Sequence, residues 1–262
     1  MLARAEKLHP LRRSRLASLT AAGWIAIILT GCSSSSEPER RFTDAPYPNV
    51  DTANTRHAEG SIRENTVADL EVAWALPLDP YRNEFGNYVA SPVVADGVAY
   101  SQDQASTVQA IEIENGEVIW ERPLGSPALG TNGAVVGDGR VFAASRTNAF
   151  ALDRQTGKTL WSVPLIRGKD ERIEMAPGYK EGLVYVSTAP ARFEGGEVGV
   201  LWALNARTGE KVWSFETVPK GLWGNRKLNY GGGTSYTPAF DEKGSMYIGV
   251  GNPGPIPGTK RF

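Results

Sequence analysis

The residues able to do chemistry are few, and their types exclude much. The 262-residue chain has one cysteine, Cys32, and two histidines, His9 and His57, both ahead of the repeats described below. A histidine metal centre or a Ser-His-Asp triad therefore has no imidazole to use in the repeat region. A single thiol excludes an internal disulfide and a Cys-x-x-Cys-His haem attachment. Carboxylates are plentiful. Glu194 and Glu197 stand among Gly195, Gly196 and Gly199, where solvation alone accounts for a charged side chain. Gly231-Gly232-Gly233 by itself reads as a surface turn. Net charge is −1, so no electrostatic case exists for nucleic acid as a partner.

Cys32 has a context. Arg4, Lys7, Arg12, Arg13 and Arg15 form a basic head, and residues 16–29 are a 14-residue apolar run, too short for an ordinary membrane span. Leu29-Thr30-Gly31-Cys32 then matches a bacterial lipoprotein processing site, with Cys32 as the acylated first residue. Arg12-Arg13 also permits a twin-arginine export route. The expected organisation is a lipoprotein signal peptide over 1–31, a flexible tether over 32–58 beginning with the serine run at 33–36, and a repeat domain over 59–262. The expected location is outside the cytoplasm, anchored by lipid and facing the periplasm or the extracellular side.

The elements that would position any site come from a repeated phrase. It reads Ala110-Ile111-Glu112-Ile113-Glu114-Asn115-Gly116-Glu117-Val118-Ile119-Trp120, and returns ending at Trp161 and at Trp213. In each copy a glycine (Gly116, Gly157, Gly209) stands where the chain must reverse, and β-formers lead to a terminal Trp. A second phrase precedes each copy, as in Val93-Val94-Ala95-Asp96-Gly97-Val98-Ala99-Tyr100, with versions at 135–142, 179–186 and 240–248. Asp-Gly between two β-rich runs marks a hairpin. Two hairpins per unit give a four-stranded antiparallel sheet, and recurrence every 41 and 52 residues predicts an all-β propeller built of such blades. Residues 70–74 are expected to form a lone strand closed by Trp74. Three units end at Trp120, Trp161 and Trp213, and a fourth begins at Thr217 and reaches Phe262 without its Gly-x-x-x-Trp phrase. About three complete blades plus partial ones are thus expected, as in a truncated chain.

The phrase resembles the pyrroloquinoline quinone (PQQ) repeat of the quinoprotein alcohol dehydrogenase-like superfamily, over roughly residues 60–262. Residues 65–74 are similar to that group's opening strand. Gly231 to Tyr236 followed by Gly249-Val250-Gly251-Asn252-Pro253 is similar to its cofactor-binding blade. The resemblance implies an eight-bladed propeller in full-length members, with PQQ beside a calcium ion at the mouth of the channel. It assigns metal contact to Asn252 and to either Glu197 or Glu194, and quinone contact to Ala176, Gly232, Gly233, Thr234 and Tyr236. Tyr236 falls where the enzymes stack a tryptophan. Met175 falls where they offer a hydroxyl, and Asn132 where they place a quinone-pairing arginine, which leaves Arg172 or Arg226 as the replacement cation. The adjacent cysteine pair of the methanol-oxidising enzymes has no counterpart. Their catalytic aspartate lies past the matching region, so no catalytic residue is assigned and this chain alone is expected to be inactive.

Two functions follow from the resemblance. One is part of a PQQ- and calcium-dependent dehydrogenase acting on an alcohol or sugar. The other is a non-catalytic envelope scaffold with protein partners, like the outer-membrane assembly propeller that shares these repeats.

Overall fold

The computed structural model describes residues 43–77, 88–128, 130–191, 197–221 and 230–253, all within one unit, residues 41–262. Three antiparallel four-stranded sheets follow one another. The first is β1 (Val93–Ala95), β2 (Val98–Gln102), β3 (Thr107–Glu112) and β4 (Val118–Pro123). The second is β5 (Ala134–Gly137), β6 (Arg140–Ala144), β7 (Asn148–Asp153) and β8 (Thr159–Pro164). The third is β10 (Gly178–Lys180), β11 (Leu183–Pro190), β12 (Val200–Asn205) and β13 (Lys211–Glu216), with β9 (Glu171–Ile173) added on the far end of β11. Two short pairs, β14 (Gly231–Gly233) with β17 (Gly251–Pro253) and β15 (Ala239–Phe240) with β16 (Met246–Tyr247), begin a fourth unit. This is the expected propeller architecture.

The inner hairpins follow from their turn residues. Asp96 and Gly97 have φ of 49° and 75°, and Asp138-Gly139 and Glu181-Gly182 repeat the pattern. Positive φ at both central positions is a type I′ turn, whose twist matches that of the flanking strands. The outer hairpins each carry a register shift, between Ala110 and Ile111, Ala151 and Leu152, and Ala203 and Leu204. In each sheet that irregularity leaves the terminal Trp opposite an alanine, and the small partner leaves the indole free to reach sideways.

The indoles are what join the units. Trp120 Nε1 donates to Arg154 O at 3.0 Å, and Trp161 Nε1 donates to Ala206 O at 3.0 Å. Trp74 Nε1 does the same to Ile113 O at 2.7 Å. Each ring lies flat over the turn glycine of the next unit: a Cβ on Gly116, Gly157 or Gly209 would stand 2.7, 2.5 or 2.9 Å from a ring atom of Trp74, Trp120 or Trp161. The turn glycine therefore supplies a floor for the preceding indole as well as a reversal. Trp213 remains 38% exposed, with no such turn over it among the described residues.

The cores lie between consecutive sheets. Val93, Tyr100, Trp120, Val141 and Leu152 fill the first interface; Phe142, Trp161, Leu165, Val184 and Leu204 fill the second. Tyr185, Leu201, Phe240 and Met246 start the third. Burying each such side chain contributes about 1.5–3 kcal/mol, so no sheet is stable without its neighbour.

Two expectations need correction. Residues 70–74 form no ladder among the described residues; Val67–Asp69 is a 3₁₀ turn, and Trp74 docks from extended chain. Part of the stretch read as tether is packed instead. Ala45 bridges Val94, Val136 N donates to Pro46 O, Phe240 N donates to Thr52 O, and Tyr47 joins the second core. Innermost strands have an edge facing the axis with unpaired backbone groups, and this segment satisfies some of them. Cys32 and the signal lie outside the described residues.

Candidate functional site

The first half of the candidate site forms where the innermost strands begin. In the third unit that strand is interrupted between β9 and β10 by Glu174-Met175-Ala176-Pro177. Pro177 has no N–H to give a ladder, so the backbone here turns its carbonyls to neighbouring units. Thr131 Oγ1 donates to Glu174 O at 2.7 Å and lies 2.9 Å from Ser235 O. Thr237 Oγ1 donates to Ala176 O at 2.9 Å. The second, third and fourth units are thus stitched together by two threonine hydroxyls. Beside them lies a cavity of about 300 Å³ lined by Val89, Gly130, Thr131, Arg172, Glu174 and Ser235.

The second half is built from glycine. Gly231 N donates to Glu197 O at 2.9 Å, and Gly199 N donates to Gly231 O at 2.8 Å, so residues 197–199 run parallel beside β14. On the other side β14 pairs Gly231 with Pro253 and Gly233 with Gly251, which sets the Asn252 backbone opposite Gly232. The glycine triplet is buried, not a surface turn. A Cβ on Gly232 would lie 2.4 Å from Thr217 Oγ1, and one on Gly233 2.7 Å from Ala189 Cβ. Only glycine fits at that spacing.

Arg167 pins the approach to this half. Its guanidinium pairs with Glu171, which is fully buried, and with Glu216 at 3.0 Å, while Nη2 donates to Val198 O at 3.0 Å. Burial pulls the Arg167 pKa down, but the two glutamates outweigh it and the net shift is upward. Its charge is fixed at any working pH.

The residues expected at the site divide accordingly. Glu197, Gly231, Gly232, Gly233 and Asn252 are brought together along β14. Thr234 is buried with its hydroxyl 4.0 Å from Met175 Sδ, and Ala176 is buried at the stitched carbonyls. Tyr236 is 69% exposed. The Glu197 carboxylate reaches towards Gly168, whose Cβ, if present, would be 3.3 Å from Oε1. Asn132 is turned into the wall, donating from Nδ2 to Asp103 O at 2.7 Å. Of the two cations considered, Arg172 lines the cavity and Arg226 lies outside the described residues, as does Glu194. Among the described residues no three His, Cys, Asp or Glu side chains cluster as a ready-made metal centre. Glu174 and Thr131 were missed; Glu174 lies just past the end of β9, two residues after Arg172, and lines the same cavity.

Comparison with known proteins agrees with the propeller fold. The chain resembles a quinohemoprotein alcohol dehydrogenase of Comamonas testosteroni, 29% identical over 251 residues, covering 82% of this chain and 34% of that protein. It is also 30% identical over 223 residues to quinohemoprotein alcohol dehydrogenase ADH-IIG of Pseudomonas putida, covering 73% and 30%. The solved structures of these two types superpose with TM-scores of 0.69 at 27% identity over 80% of this chain. A europium-containing methanol dehydrogenase, 21% identical with a TM-score of 0.70, shows the same fold. The chain spans about a third of the length of the curated relatives it matches. The PQQ_2 repeat family, described as outer membrane protein assembly factor BamB, matches residues 35–135 and 126–244. With three docked repeats and a profile match over most of its length, the chain belongs to the PQQ_2 repeat family of β-propellers.

Proposed function

We propose that this chain forms part of a quinoprotein dehydrogenase-like propeller whose hub mouth holds PQQ with a calcium ion, the whole protein oxidising an alcohol or sugar. The observation that supports this best is the convergence of three distant segments, 197–199, 231–233 and 251–253, next to the interrupted strand at 174–177. The residues present fit such a group. Calcium takes six to eight oxygens from carboxylates, amides and backbone carbonyls; Glu197 and Asn252 are the side chains that would hold it. Tyr236 offers an open ring for stacking, and Arg172 offers a cation in the cavity. When bound, the quinone supplies a two-electron acceptor and the metal a Lewis acid. What this chain contributes is position: buried glycines that let backbone approach closely, and threonine hydroxyls that fix the carbonyls around the mouth.

The test is a titration of the full chain with PQQ, read by quenching of tryptophan fluorescence with and without Ca²⁺. Saturable quenching at micromolar PQQ, weakened by chelating Ca²⁺, supports the reading. Its absence removes it.

A second reading, an envelope scaffold, is favoured by one observation. Ile119, Leu160 and Val212 precede the terminal Trp of successive outer strands and are 50%, 46% and 53% exposed. A partner laid along that row would be recovered stoichiometrically from solubilised envelope, and recovery that persists after Leu160→Lys and Val212→Lys speaks against the row as its seat. In either reading acylation of Cys32 is the proposed anchor; no described helix is long and apolar enough to cross a membrane. Loss of fatty-acid labelling in Cys32→Ser is the expected result.

A further inference from the structure

The first two interfaces between units share one aromatic frame but fill it differently. Tyr100 and Trp120 lie 6.0 Å apart in the first; their equivalents, Phe142 and Trp161, lie 6.1 Å apart in the second. In the second interface the third unit adds a ring, since Tyr179 of β10 stacks on Phe142 at 5.3 Å and 18°. Gly137 makes room for it, because a Cβ there would collide with the Tyr179 ring. Burial, and then the neighbouring Asp138 carboxylate, raise the Tyr179 pKa above the usual 10.0, so the ring enters as a neutral phenol. Register puts Val136 at the matching place in the second unit: Val136 pairs with Val141 as Tyr179 pairs with Val184. Valine is too short to cover the frame. What is left in the first interface is a cavity of about 230 Å³ among Tyr100, Trp120 and Val98, with Ala95 at its floor. At the rim Arg154 Nη1 and Asp96 Oδ2 meet at 2.5 Å, and both side chains keep some exposure to solvent. Asp96 is the counterpart of Asp138, whereas the counterpart of Arg154 one unit on is Ala206. The cavity lies by the β1–β2 turn, at the opposite ends of the strands from the hub mouth.

We infer that the first interface is a binding site for a free one-ring phenol, which takes the place that Tyr179 takes in the second. The volume of about 230 Å³ is smaller than that of sites for drug-sized ligands and suits a single ring between aromatic walls. The rim selects the hydroxyl. An ionised Asp96 only accepts and Arg154 only donates, while a phenol O–H does both. A bare hydrocarbon ring leaves both rim groups unmet. A ring carboxylate matches Arg154 but has no proton for Asp96 and sets a like charge beside it. Ala95 bears the methyl group that Gly137 lacks, so the bound ring sits nearer the rim than Tyr179 does in its own interface.

The test titrates the full chain, labelled with ¹⁵N in its tryptophans, with p-cresol, toluene or 4-methylbenzoate. The reporter is the Trp120 indole N–H, which donates to Arg154 O at the cavity; the Trp161 indole N–H, which donates to Ala206 O, is the control. The p-cresol titration should shift the Trp120 resonance saturably, with a Kd on the order of a millimolar or tighter, and leave Trp161 in place. Toluene should bind roughly tenfold more weakly, as the loss of a hydrogen bond to charged groups implies, and 4-methylbenzoate should also bind more weakly than p-cresol. Val136→Tyr combined with Ala95→Gly rebuilds the second interface within the first and should abolish the shift. Arg154→Met keeps the stem over the cavity without the charge, and should bring p-cresol to within about threefold of toluene while toluene is unchanged. Circular dichroism confirms that each variant is folded; if the double variant is not, Arg154→Met decides. No saturable Trp120 shift in the native chain overturns the inference. So does p-cresol affinity that survives in the folded double variant or is unchanged in Arg154→Met, toluene binding that matches p-cresol, or a Trp161 shift as large as that of Trp120.

Discussion

Replacing Gly157 with alanine separates the two jobs of a turn glycine. Gly157 has φ of 66°, and a Cβ there would stand 2.5 Å from the Trp120 ring. Gly139, in the inner turn of the same sheet, has φ of 67° and nothing within 4 Å of where its Cβ would be. Both substitutions impose the left-handed backbone strain, about 1–2 kcal/mol. Only Gly157→Ala also drives a methyl group into a packed indole. Such overpacking costs about 1–3 kcal/mol, and displacing the ring strains the Trp120 Nε1 bond to Arg154 O, worth about 1 kcal/mol. Gly157→Ala should therefore lose about 3–6 kcal/mol and Gly139→Ala about 1–2. At about 2–4 °C per kcal/mol for a domain of this size, the melting temperatures should differ by several degrees. Urea denaturation followed by tryptophan emission and by far-ultraviolet circular dichroism gives the comparison. Gly209→Ala against Gly182→Ala repeats it one unit on, over Trp161. If the members of each pair lose the same stability, the indole is not seated on the glycine and the docking explanation of the repeat is wrong.

Other changes have equally definite outcomes. Trp161→Phe keeps a ring but leaves the Ala206 carbonyl without its indole donor; denaturation should show a loss of about 1–3 kcal/mol. Arg167→Met strands the buried Glu171 carboxylate with only the Arg167 backbone N–H, and should cost about 2–4 kcal/mol, whereas Arg167→Met combined with Glu171→Gln should recover much of it. Asp153 accepts bonds from the Thr156 hydroxyl and amide, which hold its pKa below the usual 3.8. Its folded value is the lower one, so its stabilisation is present above the unfolded value and disappears as pH falls through the folded one. Asp153→Asn should flatten the acid limb of a stability–pH profile below about pH 4 and leave the neutral region's slope unchanged.

Much of the architecture was legible because the repeat writes the same local physics three times. Asp96-Gly97 and Asp138-Gly139 announce two-residue hairpins by residue type, and the alternation before Trp120 and Trp161 announces half-buried strands. The second use of Gly116, Gly157 and Gly209 was not legible, since it depends on a ring contributed by the preceding unit. Residues 44–54 misled for a similar reason: a polar, Pro-containing stretch reads as tether, and its fate is decided by unpaired strand edges remote in sequence. At the site, Gly231–Gly233, Glu197 and Asn252 were reached through a resemblance, and the close approach that explains the glycines emerges only from pairing of 197–199, 231–233 and 251–253. Glu174 went unnoticed because one carboxylate in an irregular link between two short strands has no signature. Its place on the cavity wall depends on the missing Cβ of Gly130, 44 residues earlier.

Amide hydrogen exchange of the full chain, with and without PQQ and Ca²⁺, locates the ligand directly. Added protection should concentrate at residues 130–133, 171–176, 197–199 and 231–237, where three repeats meet at the mouth of the axis, and should fade with Arg172→Met. Protection spread over the outer strands 118–123, 159–164 and 211–216, or none at all, would contradict a ligand site at the hub.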